Sequence, residues 1–196
     1  MSKSQVLACI AVLACGMTAS IQAASVRQSG LNEPGIYSAV LADLFRGQVP
    51  SALVVQRMAL PLPAPTAADW AWFGPGTNEL RAIVATTTVP RVSPFSVELF
   101  SPAATLVDKD EILELFRTAP AGRGPDDRWI PFRTRFKVQT YQGFSRPVVS
   151  RDALNAFLYY SHSCGQTCGE AGYAWLQRSE ASADWVVVKR LPKVTA

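Results

Sequence analysis

The sequence predicts an α+β domain, with N-terminal helices packed on a C-terminal antiparallel β-meander. Three observations predict it. Residues 36–45 and the stretch after Asp108 place apolar side chains at helical spacing. The last third alternates aromatic and β-branched runs with turn-forming segments rich in glycine and serine. The 196 residues are 48% hydrophobic and 17% charged, which excludes wholesale disorder and gives enough apolar material for one sizeable core.

Taken in order, residues 36–45 (IYSAVLADLF) form a helix, with Ile36, Val40, Leu41 and Leu44 on one stripe and Gly47 and Pro50 ending it. Residues 52–60 have the β-branched character of a strand, and the prolines of 61–65 make a loop. Trp70, Trp72 and Phe73 either anchor that loop to the core or form an exposed binding patch. Residues 79–88 fit helix and strand equally, and 95–100 (FSVELF) read as a short strand. Asp108 caps the next helix, Glu111 sits three positions on, and Ile112, Leu113 and Phe116 form its buried stripe. Pro120, Gly122, Gly124 and Pro125 break it. Trp129, Phe132 and Phe136 then recur at helical spacing, with Pro131 limiting where that helix begins. Residues 154–161, 173–178 and 185–191 are the strands of the meander.

The first 23 residues read as a secretory signal. Lys3 supplies the charge, and residues 6–14 (VLACIAVLA) an apolar run of nine, too short for a span of about 20 residues. Cleavage after Ala23 or Ala24 leaves a polar leader to residue 32 and a single α+β domain over 33–192. Val12-Leu13-Ala14-Cys15-Gly16 also resembles a lipobox, in which Cys15 would carry the lipid and tether the protein to the outer membrane; an ordinary core helix is the plainer alternative. Export places the protein in the periplasm or outside the cell, where Cys164 and Cys168 most simply form one disulfide.

That pair carries three readings. A disulfide across the first hairpin turn would brace it by about 2 kcal/mol on the loop-closure model. A redox-active pair normally has two intervening residues and a helix beneath, whereas this one has three in a β-turn setting. His162, Cys164 and Cys168 (H-x-C-x3-C) could also hold copper or zinc, with no further Cys or His to complete a closed site. His162 is the only histidine, which excludes multi-histidine zinc enzymes, and its serine neighbours point to the opposite strand face. No P-loop, nucleophile elbow or dinucleotide fingerprint occurs, and no catalytic residue or cofactor is assigned. Between Arg117 and Arg151 eight basic residues face only Asp126 and Asp127, a net +6. That segment either meets an anionic envelope polymer, a lipid headgroup or an acidic partner protein, or is neutralised by the acidic helix before it. Nucleic acid is not an expected partner of an exported chain.

The order of these segments, with the Ser145-Arg146 step, the cysteine- and glycine-rich stretch 164–172 and the strand led by Trp185, resembles a group of uncharacterised bacterial exported proteins and lipoproteins. The likeness spans most of 33–191 and is distinctive over the last 50 or so residues. The tryptophan-containing tail common in that group is missing, since this chain ends through Leu191-Pro192-Lys193. The resemblance implies export and fold continuity and carries over no catalytic residue. The expected function is therefore a non-catalytic envelope protein, an inhibitor or immunity protein for instance, binding a macromolecule through Ser145, Arg146 and His162 beside the hairpin tip. A hydrolase with a dispersed site and a metal-handling protein built on His162, Cys164 and Cys168 are the alternatives.

Overall fold

A computed structural model of the chain describes residues 32–87, 92–100, 104–119, 124, 127–165 and 167–195. The expected signal 1–23, and the leader up to residue 31, lie outside the described residues. Helix α1 (Glu33–Leu44) opens where the Asn32 side chain accepts the Gly35 N–H at 3.1 Å and Pro34 fits the first turn. Its buried stripe is Ile36, Tyr37, Val40 and Leu41. It ends at Arg46 and Gly47, both at positive φ. Strand β1 (Leu53–Gln56) follows, shorter than the apolar run suggests.

Helices α2 (Ala67–Phe73) and α3 (Asn78–Thr86) lie between β1 and β2 (Ala104–Val107). Helices α4 (Lys109–Arg117) and α5 (Ile130–Phe136) lie between β2 and β3 (Tyr141–Phe144). These crossovers let β1 pair in parallel with both β2 and β3. The chain then turns antiparallel: β4 (Val148–Val149), β5 (Asn155–Ser163), β6 (Gly169–Gln177) and β7 (Val186–Thr195) complete a sheet of order β2-β1-β3-β5-β6-β7, with β4 beside β3 on the same flank of β5. The β5-β6-β7 meander under N-terminal helices is the α+β architecture expected from the sequence. Residues Leu31–Ala196 form one compact unit.

Strand alternation sorts the core onto two faces. Leu53, Val55, Phe144, Ala156, Leu158 and Tyr160 pack with the α1 stripe. Phe157, Tyr173 and Trp175 face the other way, against Trp70 and Phe73 of α2 and Leu80 of α3. Further along that second face, Val54 and Val107 are covered by Ile112 of α4 and Phe132 of α5. Gly172 marks the closest approach of β6 and β7, because a Cβ there would stand 2.1 Å from the Leu191 carbonyl oxygen.

Several local expectations are corrected. The stretch 95–100 is not a strand; it carries one 3-10 turn, Val97–Leu99, between two buried rings. Phe95 and Phe100 are five residues apart, an odd spacing that one strand face cannot present, and both rings pack on Tyr37. Leu113 is 51% exposed, because the buried line of α4 runs from Ile112 to Phe116 and Leu113 lies round the helix from it. Asp108 stands at the N-cap without a capping bond, since its carboxylate is taken by Arg57 at 3.2 Å. Of the three aromatics in α2, Trp70 and Phe73 are buried one turn apart, whereas Trp72 is 56% exposed. The ambiguous segment is helical from Asn78 to Thr86.

Candidate functional site

The closed end of the β5–β6 hairpin gathers most of the chain's distinctive polar chemistry. Antiparallel register sets Ser163 opposite Gly169 and His162 opposite Glu170. The Cys164 N–H donates to the Cys168 carbonyl at 2.9 Å, which carries the ladder one step further. The disulfide Cys164–Cys168 ties that step with Cα atoms 5.1 Å apart. Gly165 turns the loop with φ 152°, a value that side chains disfavour. Because the ladder already brings the ends together, the bond braces the tip. Replacing both cysteines by serine is expected to leave a folded protein that has lost up to about 2 kcal/mol. A thermal melt checks this, and failure to fold would show the bond to be a main support.

Beside the tip, His162 Nδ1 lies 2.8 Å from Gln142 Oε1, directly across the β3–β5 pair. Gln142 is fully buried, and its Nε2 donates to Thr140 Oγ1 at 2.9 Å. That bond turns the amide oxygen toward the imidazole, so the ring proton sits on Nδ1. Phe45 meets the ring edge-on at 5.3 Å. Burial lowers the His162 pKa, and Arg190 lowers it further against the opposing pull of Glu170, which keeps the ring neutral at neutral pH. Next along the same face, Tyr160 donates to Glu170 Oε1 at 3.0 Å. Arg190 bridges Glu170 and Asp43, the latter at 2.7 Å, and lies over the Tyr160 ring. This network ties the last turn of α1 to the sheet.

Ser145 and Arg146 do not join this cluster. Ser145 is 1% exposed; its Oγ accepts the Tyr159 N–H at 2.9 Å, and its carbonyl accepts the Tyr37 hydroxyl at 3.4 Å. Tyr159 is three residues down β5 from His162. The Arg146 guanidinium is spent on three partners: Glu33 at 3.0 Å, Ser93 Oγ at 3.0 Å and the Pro94 carbonyl at 2.7 Å, with the Phe95 ring 4.6 Å away. The contact face expected from Ser145, Arg146 and His162 is therefore not assembled. The Ser-Arg step is an internal clamp that joins the start of α1 to the β3–β4 corner.

The basic segment divides into two. Arg117 pairs with Glu114, Arg135 with Glu111, Arg146 with Glu33, and Arg151 reaches Glu79 at 4.0 Å. Arg128 and Lys137 are exposed and carry no ion pair among the described residues. Lys137 lines a shallow depression of about 520 Å³ with Asp127, Ile130, Arg133 and Thr134. The depression runs along α5 and its two ends, whereas Arg128 lies in the 3-10 turn Asp127–Trp129 before the helix and does not line it. Sequence reading found the charge excess here without finding the face. The alternation of buried aromatics with basic residues over 128–137 is the signal that marks it.

Comparisons with protein-family models, with curated proteins and with solved structures give no match for this chain.

Proposed function

We propose that the protein is an exported envelope protein that binds an acidic macromolecule, a protein or an anionic polymer, through the solvent face of α5. One observation carries the reading. Among the described residues Arg128 and Lys137 stand exposed with no ion pair, whereas Arg117, Arg135, Arg146 and Arg151 of the same segment pair with Glu114, Glu111, Glu33 and Glu79. Ile130, 54% exposed in the same depression as Lys137, adds an apolar contact of the kind a partner's surface can cover. An inhibitor or immunity protein falls within this class.

Surface charges interact over a screening length of about 8 Å at physiological salt, so binding of this kind is salt-sensitive. The mature chain is expected to be retained on a polyanionic matrix at low salt and to elute steeply as salt rises. The double charge reversal Arg128→Glu with Lys137→Glu should abolish retention. No retention of the unaltered chain at low salt would overturn the reading. Export is tested on the same preparation by N-terminal sequencing of envelope-fraction protein; an intact Met1 would refute it.

Lys137 offers a sharper test. It ends α5 at φ 59°, a left-handed conformation that glycine adopts more readily. Lys137→Gly is therefore expected to raise stability by about 0.5–1 kcal/mol while weakening retention. A purely structural lysine would give no loss of binding, and a thermal melt beside the retention profile separates the two.

A further inference from the structure

The depression on α5 carries charge of both signs, in order along its length. Its lining runs from Asp127 in the 3-10 turn, through Ile130, Arg133 and Thr134, to Lys137 at the end of the helix. Ile130, Arg133, Thr134 and Lys137 are spaced i, i+3, i+4 and i+7, so they fall on one helix face. Asp127 is held in place at the far end, where its Oδ2 accepts the Gly124 N–H at 2.9 Å. The track is therefore anionic at one end, apolar beside it and cationic at the other. A uniform polyanion matches it badly. Such a polymer gains from Arg133 and Lys137, but it sets a like charge against Asp127 and leaves the exposed Ile130 without an apolar partner. Resting on the reading of the α5 face as the binding surface, we infer that the partner is a protein, and that it docks an extended segment whose acidic, aliphatic and basic side chains meet Lys137, Ile130 and Asp127 in that order.

Helix geometry sets the spacing of that segment. Ile130 and Lys137 are separated by about 10.5 Å of helix rise, which three residues of extended chain span at about 10 Å. Asp127 and Ile130 are separated by about 6 Å across the 3-10 turn, close to the roughly 6.6 Å of two extended residues. The matching segment places an aliphatic residue three positions from an acidic one and a basic residue two positions further on. Each contact alone is weak: the charges lie at the surface and are screened by salt. Specificity comes from meeting all three at once, which a chain of one repeating charge cannot do.

The test passes the full mature chain over immobilised peptides at physiological salt and reads apparent Kd by surface plasmon resonance. One probe repeats Glu-Ser-Ser-Leu-Ser-Lys, a second carries the reversed sequence, and a third is poly-glutamate of equal length. One of the two mixed peptides should bind at least fivefold tighter than poly-glutamate, although poly-glutamate carries far more negative charge. Ile130→Ser should weaken that binding roughly fivefold, through the apolar surface no longer covered. Asp127→Asn keeps an acceptor for the Gly124 N–H and should narrow the preference, weakening the mixed peptide and tightening poly-glutamate. An unaltered chain that binds poly-glutamate as tightly as either mixed peptide overturns the inference and leaves α5 as a polyanion surface. So does an Ile130→Ser chain of unchanged circular dichroism spectrum that binds the mixed peptide as tightly as the unaltered one. Binding to none of the probes, at low salt as well, overturns the reading of the α5 face itself and the inference with it.

Discussion

Arg146→Ala is expected to destabilise the domain by about 3 kcal/mol, lowering its melting temperature by roughly 10 °C for a domain of this size. The ion pair it breaks is largely buried, with 16% of the Arg146 side chain and 17% of the Glu33 side chain exposed. Truncation leaves the Glu33 carboxylate in that setting without its cation. It also strands the hydroxyl of Ser93 and the carbonyl of Pro94, and it removes the guanidinium from the Phe95 ring. Pro94 is exposed and its carbonyl can turn to water, whereas the partly buried Glu33 carboxylate and Ser93 hydroxyl add a desolvation cost that a surface arginine would not incur. Arg146→Lys should recover less than half of the loss, because one ammonium cannot reproduce a planar fork that meets three acceptors in different directions. Thermal melts of the two variants check the expectation. A loss below about 1 kcal/mol for Arg146→Ala, the usual value for an exposed pair, would return this residue to the list of contact residues.

The meander was legible because its signals are local. Tyr159, Tyr160, Tyr173, Trp175 and Val186 to Val188 mark strands by residue type, and the glycines around Cys164 and Cys168 mark the turn. The same local reading missed β2, β3 and β4, which are four, four and two residues long. Strands that short carry too few positions to show a period. The parallel pairing of β1 with β2 and β3 depends on helical crossovers rather than on any pattern within the strands. The fate of Arg146 was hidden for a related reason. Its partners Glu33, Ser93 and Pro94 lie 113, 53 and 52 residues away, so its burial is a property of the assembled fold. The charge excess of residues 117–151 was a matter of counting, whereas the division between paired and unpaired cations depends on where α4 and α5 set Glu111 and Glu114.

Asp69→Asn is expected to cost about 2 kcal/mol near neutral pH, and that cost should shrink in acid. Asp69 opens α2 by a reciprocal cap: its carboxylate accepts the Thr66 N–H at 2.8 Å, while Thr66 Oγ1 accepts the Asp69 N–H at 3.2 Å. The same carboxylate holds Lys193 of β7 at 2.7 Å, so one side chain fixes both the start of α2 and the edge of the sheet. With only 6% of its side chain exposed, the carboxylate gains little from water. Burial alone would raise its pKa, but the Lys193 hydrogen bond and the Thr66 contacts together outweigh burial and hold it below the ordinary aspartate value. The sign follows from proton linkage. The unfolded chain binds this proton more tightly than the folded one, so the contribution is complete above the ordinary pKa of about 3.9 and fades as pH falls through the depressed folded value. Asparagine does not titrate, and the stability gap between the two chains should therefore narrow steadily from about pH 5 downward. Denaturant unfolding of both chains across that range measures the gap. A gap of constant size would show that Asp69 acts through something other than its charge. A gap that widens in acid would show that the folded carboxyl titrates above its unfolded value, with burial dominating the contacts from Lys193 and Thr66.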